Sequence, residues 1–522
     1  MPDFSPQPEP SRRRSKAVWC PFVFTWVALV GLFLPPIAAL AVAATPALAT
    51  PAPAKAAAAT PPPAAPAPAK TAPGTPPATT PAPAKSVPAT PTPRPLGAPP
   101  PAKLTSQQIL EKLLALGASV AVKPKGGPVQ EIKSDTETVE GKFTFERVAF
   151  RALKPDETPL VAADYDILDS ISEVQELVLS GDVVRDAVLA KLHPFHALRS
   201  LALDRARPSA AGYEVLAELP ALRDLQLRDT GTTDDAMQKV TECRKLQRLQ
   251  LVSLPLTNEG LAGLGKLKEL EDLQLNELKN LESKGFAYLP KCRMLKHVYV
   301  AGFMVLSGMV ENLGHCKNLQ SLSIPNSFLK DTEVAPLGAL EKLQTLDLSN
   351  SPISGAVFIK WPVRHEMTSL NLNNAGGVDD AACVGIEHAC PKLQSLYLKT
   401  AKSGFSVAGA EALGRLHGLR VLTLDGEGVT DDVLAELAHD ENLTNLSIPA
   451  AKLTDPGAAA IGRLTHLTDL NLNIPPITEA ALKSFSHCKA LKTVNIGKDA
   501  PAETEYKLES VLPALIVHRP EE

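Results

Sequence analysis

A short apolar pattern recurs at a fixed interval along most of this chain. Residues 222–275 read LRDLQLRDTGTTDDAMQKVTECRKLQRLQLVSLPLTNEGLAGLGKLKELEDLQL, and within them LRDLQL, LQRLQL and LEDLQL start 24 residues apart. The pattern LxxLxL, with Val, Ile or Met replacing Leu in some copies, starts at residues 174, 198, 222, 246, 270, 295, 319, 343, 367, 393, 419, 443, 467 and 491. Fourteen copies at a spacing of 24 to 26 residues indicate that each copy is one structural unit of a repeat architecture.

Each copy has two halves of different periodicity. In LxxLxL the apolar residues alternate as in a β-strand, so we expect the leucines to point inward and the residues between them outward. In the second half, as in VTDDVLAELAHD at 429–440, apolar residues recur at the spacing of a short helix with one buried face. Thr430 and Asp431 precede that face, and we expect them to cap the first-turn amides of their own helix. Thr454 and Asp455 are expected to do the same in the next copy.

Units of this kind are expected to stack. A single unit would expose apolar surface on both sides, and stacking buries that surface against the neighbouring units. Strands pack about 4.8 Å apart whereas helices need about 8–10 Å, so the stack must curve with its strands on the inside. We therefore expect a horseshoe whose concave wall is a parallel sheet.

The copies resemble those of the leucine-rich repeat family. The resemblance covers residues 145–519, from a degenerate copy, FERVAF at 145, to a last fragment that starts at Leu515. It implies an α/β fold, a right-handed leucine-rich repeat solenoid with the parallel sheet on the concave face and helices on the convex face. The asparagine that the commonest form of the family places after the strand is replaced, and its slot holds Ala206, Thr230, Ser327, Ser351, Ala401 and Ala451. We expect no asparagine ladder, and the repeat is similar to the ribonuclease-inhibitor-like and cysteine-containing subclasses and to bacterial repeats of that type.

Composition divides the chain before the repeats begin. Of its 48 prolines, 20 lie at 45–103, a stretch that is almost wholly Pro, Ala, Thr and Lys. Such a segment has too little apolar surface to fold, so we predict a disordered spacer at 45–103. Residues 104–144 are predicted to cap the N-terminal end of the array, and the stretch at 107–120 has the pattern of an amphipathic helix stopped by Gly117. Residues 145–522 are predicted to hold the leucine-rich repeat domain with its C-terminal cap.

The first 44 residues carry an export pattern. The basic stretch SRRRSK is followed by an uncharged apolar run at 17–34 and then by small residues. Positive charge before an apolar run holds that end in the cytoplasm while the run enters the bilayer. Residues 1–44 are therefore predicted to be either a signal peptide, cleaved after Ala44 or Ala49, or a transmembrane anchor over 17–44. In both cases the body is expected outside the cytoplasm, in the cell envelope, in the periplasm or secreted, and a retained segment would hold it at the inner membrane.

Net charge differs between the two parts of the chain. Residues 1–103 carry nine basic and two acidic side chains, a net charge of +7, which leaves −11 for the body of a chain whose total is −4. An acidic body without a basic stripe repels a phosphate backbone. We therefore predict no nucleic-acid partner.

Motifs typical of catalysis are missing from the sequence. It holds no GxSxG, HExxH, Walker-type loop or CxxC motif. HPFH at 193–196 has no third ligand close in sequence, so no metal site is predicted. Five cysteines, Cys243, Cys292, Cys316, Cys390 and Cys488, stand three residues before the leucine of the next copy, which indicates a packing role. The chain is predicted to be no enzyme, with no catalytic residues and no cofactor.

The concave wall is the remaining candidate site. Its central outward positions, one per copy, are short and polar and include two tyrosines, a mixture that suits contact with a protein or peptide. The copies from 343, 367 and 393 are irregular, and insertions in a solenoid become surface loops. Arginines and aspartates interleave around 199–248, which we interpret as a solvated ion ladder. The predicted ligand-binding residues are Tyr299, Asp347, Asn371, Tyr397, Lys399 and Thr423.

Non-enzymatic recognition is the predicted function. The chain would be a protein- or peptide-binding leucine-rich repeat domain displayed outside the cytoplasm on a proline-rich spacer. Two alternatives stay open, a structural cell-envelope protein that self-associates and an enzyme regulator or inhibitor. The fold alone does not choose among them, because function lies in the site and not in the fold.

Overall fold

The computed structural model describes the repeat-bearing part of the chain. It covers residues 104–132, 139, 141–150, 159–302, 307–399, 405–426, 428–439, 442–451, 453–473, 478–497, 500–501 and 503–519. These residues belong to one compact unit, Leu96–Glu522. No helix among them has the length and apolarity needed to span a bilayer. The predicted export segment at 1–44 and the predicted spacer at 45–103 lie outside the described residues.

Eighteen strands form one sheet within these described ranges. They are β1 Ser119–Pro124, β2 Gln130–Ile132, β3 Phe143–Ala149, β4 Glu176–Ser180, β5 Ser200–Asp204, β6 Asp224–Arg228, β7 Arg248–Val252, β8 Asp272–Asn276, β9 His297–Ala301, β10 Ser321–Ser323, β11 Thr345–Asp347, β12 Ser369–Asn371, β13 Ser395–Lys399, β14 Val421–Asp425, β15 Asn445–Ile448, β16 Asp469–Leu472, β17 Thr493–Asn495 and β18 Ile516–His518. All are short, as copies of about 24 residues require.

Short helices return the chain from one strand to the next. The α-helices of the described residues are α1 Ser106–Ala115, α2 Asp186–Leu189, α3 Glu214–Ala217, α4 Asp234–Val240, α5 Asn258–Leu261, α6 Ser307–Gly314, α7 Asp331–Val334, α8 Asp380–Ala389, α9 Val407–Gly414, α10 Asp431–Leu437, α11 Asp455–Ile461, α12 Glu479–Ser484 and α13 Thr504–Val511. The 3-10 helices there are Ala162–Ser170, Ala190–Leu192, Ala211–Tyr213, Ala262–Lys266, Ser283–Lys291, Ala335–Ala339, Ala356–Lys360 and Phe485–His487. The predicted helices of the copies are thus present, several of them partly as 3-10 turns.

The strands are stacked in sequence order. From β3 to β18 each strand pairs in parallel with the next. The second leucine of each pattern pairs with its counterpart, as Leu225 does with Leu201 and Leu249. These leucines are buried, whereas the residues between them face outward. The predicted leucine-rich repeat solenoid is confirmed, with an open parallel sheet on the concave face and helices on the convex face.

An antiparallel hairpin extends the sheet at its N-terminal end. Strand β1 pairs antiparallel with both β2 and β3. Helix α1 begins after Thr105, whose Oγ1 accepts a hydrogen bond from the amide N of Gln108 at 3.3 Å. Gly117, with a φ of 73°, ends this helical region where the sequence predicts its end, and Ser119 already belongs to β1. The hairpin covers the backbone edge of β3, which would otherwise offer unpaired hydrogen-bonding groups.

Aspartates at the start of the convex helices bind the following copy. Asp234 accepts hydrogen bonds from the amide N of Thr257 at 2.9 Å and from its Oγ1 at 2.6 Å. The same contact joins Asp186 to Ser209, Asp331 to Ser354, Asp380 to Ser406, Asp431 to Thr454 and Asp455 to Thr478. We call each such pair a carboxylate clamp. The clamps tie consecutive units together along the convex side.

The capping predicted for Thr430 and Thr454 is wrong. Neither side chain makes a cap hydrogen bond to its own helix. Thr454 Oγ1 instead donates to Asp431, the aspartate of the preceding copy. The hydroxyl donates its proton to that carboxylate in a charge-assisted hydrogen bond. This contact does not itself exclude capping, because the hydroxyls of Thr257 and Thr478 donate to a carboxylate and also accept from an amide N–H of their own helix.

Glycines make room for the clamps. A Cβ on Gly260, three residues after Thr257, would lie 2.5 Å from Asp234 Oδ1 and 3.0 Å from Leu256 Cδ2. Gly212, Gly409 and Gly457 stand in the same relation to the aspartates of their own preceding copies. The sequence signature of a clamp is therefore an aspartate at a helix start, followed in the next copy by Ser or Thr. A glycine stands three residues later in four of the six clamps, and Val357 and Ala481 stand there in the other two.

In some copies a hydroxyl residue, Thr230, Ser327 or Ser351, takes the position where the commonest repeats carry asparagine, and its hydroxyl pairs with another hydroxyl. Ser327 Oγ lies 2.7 Å from Ser351 Oγ, and Thr230 Oγ1 lies 2.6 Å from Thr232 Oγ1. All four residues are buried. Each hydroxyl thus finds a partner inside the core, and no amide side chain is needed there. Ala401 of the same slot lies outside the described residues.

The irregular copy from 343 is packed into the core at Trp361. The 3-10 helix Ala356–Lys360 replaces a longer helix, and Trp361 follows it with only 3% of its surface exposed. Its ring meets that of Phe358 edge-on, with 4.9 Å between the ring centroids. A Cβ on Gly338 of the preceding copy would lie 2.9 Å from the indole. The expectation of a surface loop is therefore wrong at Trp361, because the large ring fills the space that the missing helical turn leaves.

The predicted packing role of the cysteines agrees with their placement. The six in the described part of the chain, Cys243, Cys292, Cys316, Cys383, Cys390 and Cys488, are buried as free thiols. Cys292 Sγ donates to the carbonyl of Leu264 at 3.2 Å, and Cys488 Sγ donates to that of Ile461 at 3.3 Å. Both bonds reach the preceding copy. The thiols therefore fill space and satisfy helix carbonyls.

We expect the buried thiols to be unreactive in the folded chain. Burial raises the pKa of Cys243, Cys316, Cys383 and Cys390 to about 12 and that of Cys292 and Cys488 to about 11. Because the thiolate is the nucleophile, at about pH 8 only about one thiol in a thousand or fewer would be reactive. Peptide mass spectrometry after iodoacetamide treatment should find these six unmodified in native protein and modified in guanidinium. Labelling of any of them in the native chain would contradict the burial.

Candidate functional site

The outward residues of the parallel strands form a continuous row on the concave wall. Strand pairing places side by side, in this order, Tyr299, Ser323, Asp347, Asn371, Tyr397 and Thr423. Each is half-buried, because side chains at a strand spacing of about 4.8 Å cover one another. Lys399 ends the strand that carries Tyr397, and its backbone pairs with Asp425. Five of the six predicted ligand-binding residues thus lie in one row and the sixth on one of its strands, and their binding role stays a prediction.

The N-terminal part of the wall carries paired charges. Arg248 Nε lies 2.9 Å from Asp224 Oδ2, and His297 Nδ1 contacts Asp272 Oδ1. In register these four residues stand next to one another on β6, β7, β8 and β9. Burial raises the pKa of Asp224, although Arg248 acts against that shift through its charge and its hydrogen bond. The predicted ion ladder exists here and extends two strands further than 199–248.

Other carboxylates of this part of the wall also have cationic neighbours. Lys296 Nζ lies 2.8 Å from Glu271 Oε2, and Arg205 Nε lies 3.6 Å from Asp204 Oδ2. Two ion pairs of the wall, Asp224–Arg248 and Glu271–Lys296, could have been predicted from the sequence. Opposite charges recur one repeat apart in the same slot, as Asp224 and Arg248 do, and residues in the same slot become neighbours in a parallel stack.

Charge is sparse in the middle of the wall. The outward residues of β10, β11 and β12 are Ser321, Ser323, Thr345, Asp347, Ser369 and Asn371. Asp347 is therefore the one charged side chain on these three strands, which are described throughout. Its Oδ2 accepts a hydrogen bond from Ser323 Oγ at 3.1 Å, and its Oδ1 accepts one from the amide N of Ser349 at 3.0 Å. Burial, and after it the negative charge of Asp347, raise the pKa of Tyr299, so the two side chains share one electrostatic environment.

A polar depression lies at the C-terminal part of the wall. It has a volume of about 390 Å³, and its lining includes Thr423, Asn445, Ser447, Asp469, Asn471 and Asn495. Asp469 Oδ2 accepts hydrogen bonds from Thr468 Oγ1 at 2.6 Å and from Asn445 Nδ2 at 2.9 Å, and Thr493 Oγ1 donates to Oδ1. Burial acts to raise the pKa of Asp469, but these hydrogen bonds outweigh it and lower the pKa. Sequence reasoning chose only Thr423 from this depression.

Its polar lining could have been found from the slots next to the central row. Asn445, Asp469 and Thr493 occupy one slot in three consecutive copies, two residues before the central position. Parallel pairing makes them neighbours, which is why one carboxylate can accept from both flanking strands. Across the described residues, no three His, Cys, Asp or Glu side chains converge as metal ligands would. The wall therefore offers hydrogen bonds and a few charges to whatever lies against it.

Comparison with known proteins gives the family of the chain. The family model described as leucine-rich repeat region matches residues 177–511. The chain belongs to the leucine-rich repeat family. The subclass inferred from the asparagine slot stays a prediction. No curated protein matches this sequence in a direct comparison.

Solved structures resemble the fold at low sequence identity. A leucine-rich repeat protein from Leptospira interrogans is 17% identical with a TM-score of 0.47, over 68% of this chain and 92% of that one. An internalin from Listeria monocytogenes is 16% identical with a TM-score of 0.41, over 63% and 88% of the two chains. TLR13, in its complex with ssRNA13, is 19% identical with a TM-score of 0.40, over 67% of this chain and 47% of that chain.

Proposed function

We propose that this chain is a non-enzymatic protein- or peptide-binding leucine-rich repeat protein, displayed outside the cytoplasm on a proline-rich spacer. The observation that carries the proposal is the row from Tyr299 to Thr423. It presents two tyrosine rings, hydroxyls, an amide and one carboxylate on a sheet that runs without interruption from β9 to β14. Aromatic rings surrounded by small polar groups are typical of protein-binding surfaces, because the rings bury area while the polar groups fix orientation.

The repeat architecture also supports a binding function in preference to a catalytic one. The wall is an extended surface made by many copies, and each copy adds one side chain per row. Such a surface suits a long ligand that touches many copies, as repeat proteins in general provide. The six cysteines of the described residues, a residue type that often serves as a nucleophile in enzymes, are buried, and burial raises their pKa.

Display outside the cytoplasm is supported by the N-terminal sequence. The basic stretch, the apolar run at 17–34 and the small residues that follow are typical of export. The 59 residues at 45–103, rich in proline, would keep the repeats away from a membrane surface at about 3.1 Å per residue. The acidic body, at −11, favours partners that carry positive charge.

Changing both Tyr299 and Tyr397 to alanine should reduce partner binding at least about tenfold, because central aromatic side chains contribute most of the binding energy in such interfaces. The full chain would carry a photo-crosslinking amino acid at Asn371, and bound proteins from the producing cells would be identified by mass spectrometry. The double variant should lose the crosslinked species. Tyr506→Ala is the matched control, because Tyr506 is 76% exposed on α13, away from the row.

Two results would contradict the proposal. Equal crosslinking by the wild type and the double variant would show that the wall does not recognise the captured protein. Crosslinks between copies of this chain alone, together with sedimentation that depends on its concentration, would favour a self-associating structural protein.

A further inference from the structure

The carboxylates of the concave wall differ in the groups that contact them. Asp224, Asp272 and Glu271 each contact Arg, His or Lys, and Asp469 accepts hydrogen bonds from three donors. Asp347 accepts only two hydrogen bonds, both from neutral donors, among the contacts of the described residues. A carboxylate has about four acceptor positions, so about two remain open on Asp347.

Strands β10, β11 and β12 and the turns that follow them carry no basic side chain that could pair with Asp347. The strands and following turns at 320–329, 344–354 and 368–378 contain no charged residue apart from Asp347. Neighbouring strands β10 and β12 place Ser323 and Asn371 beside it. Because these groups are neutral and the carboxylate is half-buried, its field is weakly screened within the wall.

Two tyrosines stand at equal steps on either side of Asp347. Tyr299 lies two strands before it and Tyr397 two strands after it in the same row. At a strand spacing of about 4.8 Å, each ring is rooted about 10 Å from the aspartate and the two are about 19 Å apart. An extended segment of about six residues, at about 3.4 Å per residue, would reach from one ring to the other.

We propose that Asp347, between Tyr299 and Tyr397, is the subsite for an arginine or lysine side chain of a bound peptide segment, an assignment that rests on the proposed function. The carboxylate pairs with the cation, and the open acceptor positions take its N–H groups in charge-assisted hydrogen bonds. The tyrosine faces cover the apolar part of the segment and attract cationic groups within about 6 Å of a ring. Charge complementarity selects this occupant, since Asp347 is the one charged side chain on β10, β11 and β12 and has no cationic contact among the described residues.

The test uses the full chain and a random peptide library displayed on phage. Peptides would be selected in parallel on the wild type, on Asp347→Asn and on Asp432→Asn. The asparagine at 347 keeps the shape of the side chain and an oxygen for the Ser349 amide, and its NH2 group can donate to Ser323 Oγ, so the charge is removed while both neighbours keep a partner. Asp432 is the matched control, because it is exposed on α10 and its change alters the net charge equally.

Peptides selected on the wild type and on Asp432→Asn should be enriched in Arg or Lys, and those selected on Asp347→Asn should not. A selected peptide, synthesised with a fluorophore, should bind Asp347→Asn about tenfold more weakly than the wild type, and the same peptide with Gln in place of its basic residue should lose as much. The second comparison changes only the peptide, so it does not depend on how well the variant folds.

The outcomes separate this inference from the proposed function. Selected peptides without basic residues that still fail to bind the Tyr299→Ala, Tyr397→Ala double variant would overturn the inference and leave the proposed function standing. Selections whose peptides bind that double variant as well as the wild type would overturn both. Equal affinity of a basic peptide for wild type and Asp347→Asn would also overturn the inference.

Discussion

Replacing Trp361 with alanine is expected to lower the free energy of unfolding by about 3–5 kcal/mol, the usual cost of removing a buried aromatic ring. The indole is 3% exposed, meets the Phe358 ring at 4.9 Å between centroids and lies against Gly338 of the preceding copy. Its loss would leave a cavity between two units of the stack. Urea-induced unfolding of the full chain, followed by far-UV circular dichroism, measures the change.

Trp361→Phe is the informative companion. Trp361 Nε1 is buried without a hydrogen-bond acceptor, so phenylalanine removes an unsatisfied donor while it keeps most of the ring. We expect its cost to stay below about 1.5 kcal/mol, since the loss of packing area is partly offset. If alanine and phenylalanine destabilise the chain equally, the ring does not hold the two units together as its contacts suggest.

Regular copies made the fold predictable from sequence, and irregular copies did not. The LxxLxL slots fix the register of the sheet because a slip by one residue would turn every leucine to the solvent, as at Leu225. Trp361 breaks the pattern, and sequence reasoning placed its copy at the surface because insertions usually lie there. Trp361 is buried because its ring fills the space beside Gly338 and Phe358 that the shorter helix leaves. That space can be seen only in the packed structure.

The candidate site was predictable in position but not in detail. Strand periodicity alone identifies the row that holds Tyr299, Asp347 and Tyr397. Which carboxylate is neutralised depends on side-chain contacts, such as the one between Asp224 and Arg248. The sequence shows opposite charges one repeat apart but not whether their atoms meet. Asp347 became distinct only when the partners of the other acidic residues were known.

The helix starts show how local reasoning fails in a repeat protein. Thr and Asp before a helix ordinarily cap it, so the sequence predicts that role for Thr454 and Asp431 within their own copies. In a stack, the residue 23 positions further on is as close as the next turn, and Asp431 binds Thr454 across that separation. The hydroxyl donates its proton to the carboxylate of the preceding copy, a charge-assisted hydrogen bond. In four of the six clamps a glycine follows, as Gly457 does here, and its missing Cβ leaves space for the carboxylate.

Changing Gly260 to alanine should lower the free energy of unfolding by about 2 kcal/mol, because its new Cβ would lie 2.5 Å from Asp234 Oδ1 and force the clamp on Thr257 apart.

Gly414→Ala should instead raise the free energy of unfolding, by up to about 1 kcal/mol. Its Cβ would meet only a carbonyl oxygen at 3.7 Å, and alanine restricts the unfolded chain and favours the helix.

A double-mutant cycle distinguishes a collision with the clamp from a general intolerance of alanine at Gly260. Asp234→Ala alone should cost about 1–3 kcal/mol through the two lost hydrogen bonds to its carboxylate. In that background Gly260→Ala should cost little, since the oxygen it would strike is gone and the remaining neighbour, Leu256 Cδ2 at 3.0 Å, is the movable end of a side chain. Urea unfolding of the four proteins gives the coupling energy, expected to be at least about 1 kcal/mol. Additive costs would mean that the glycine is required by its own backbone and not by the carboxylate of the preceding copy.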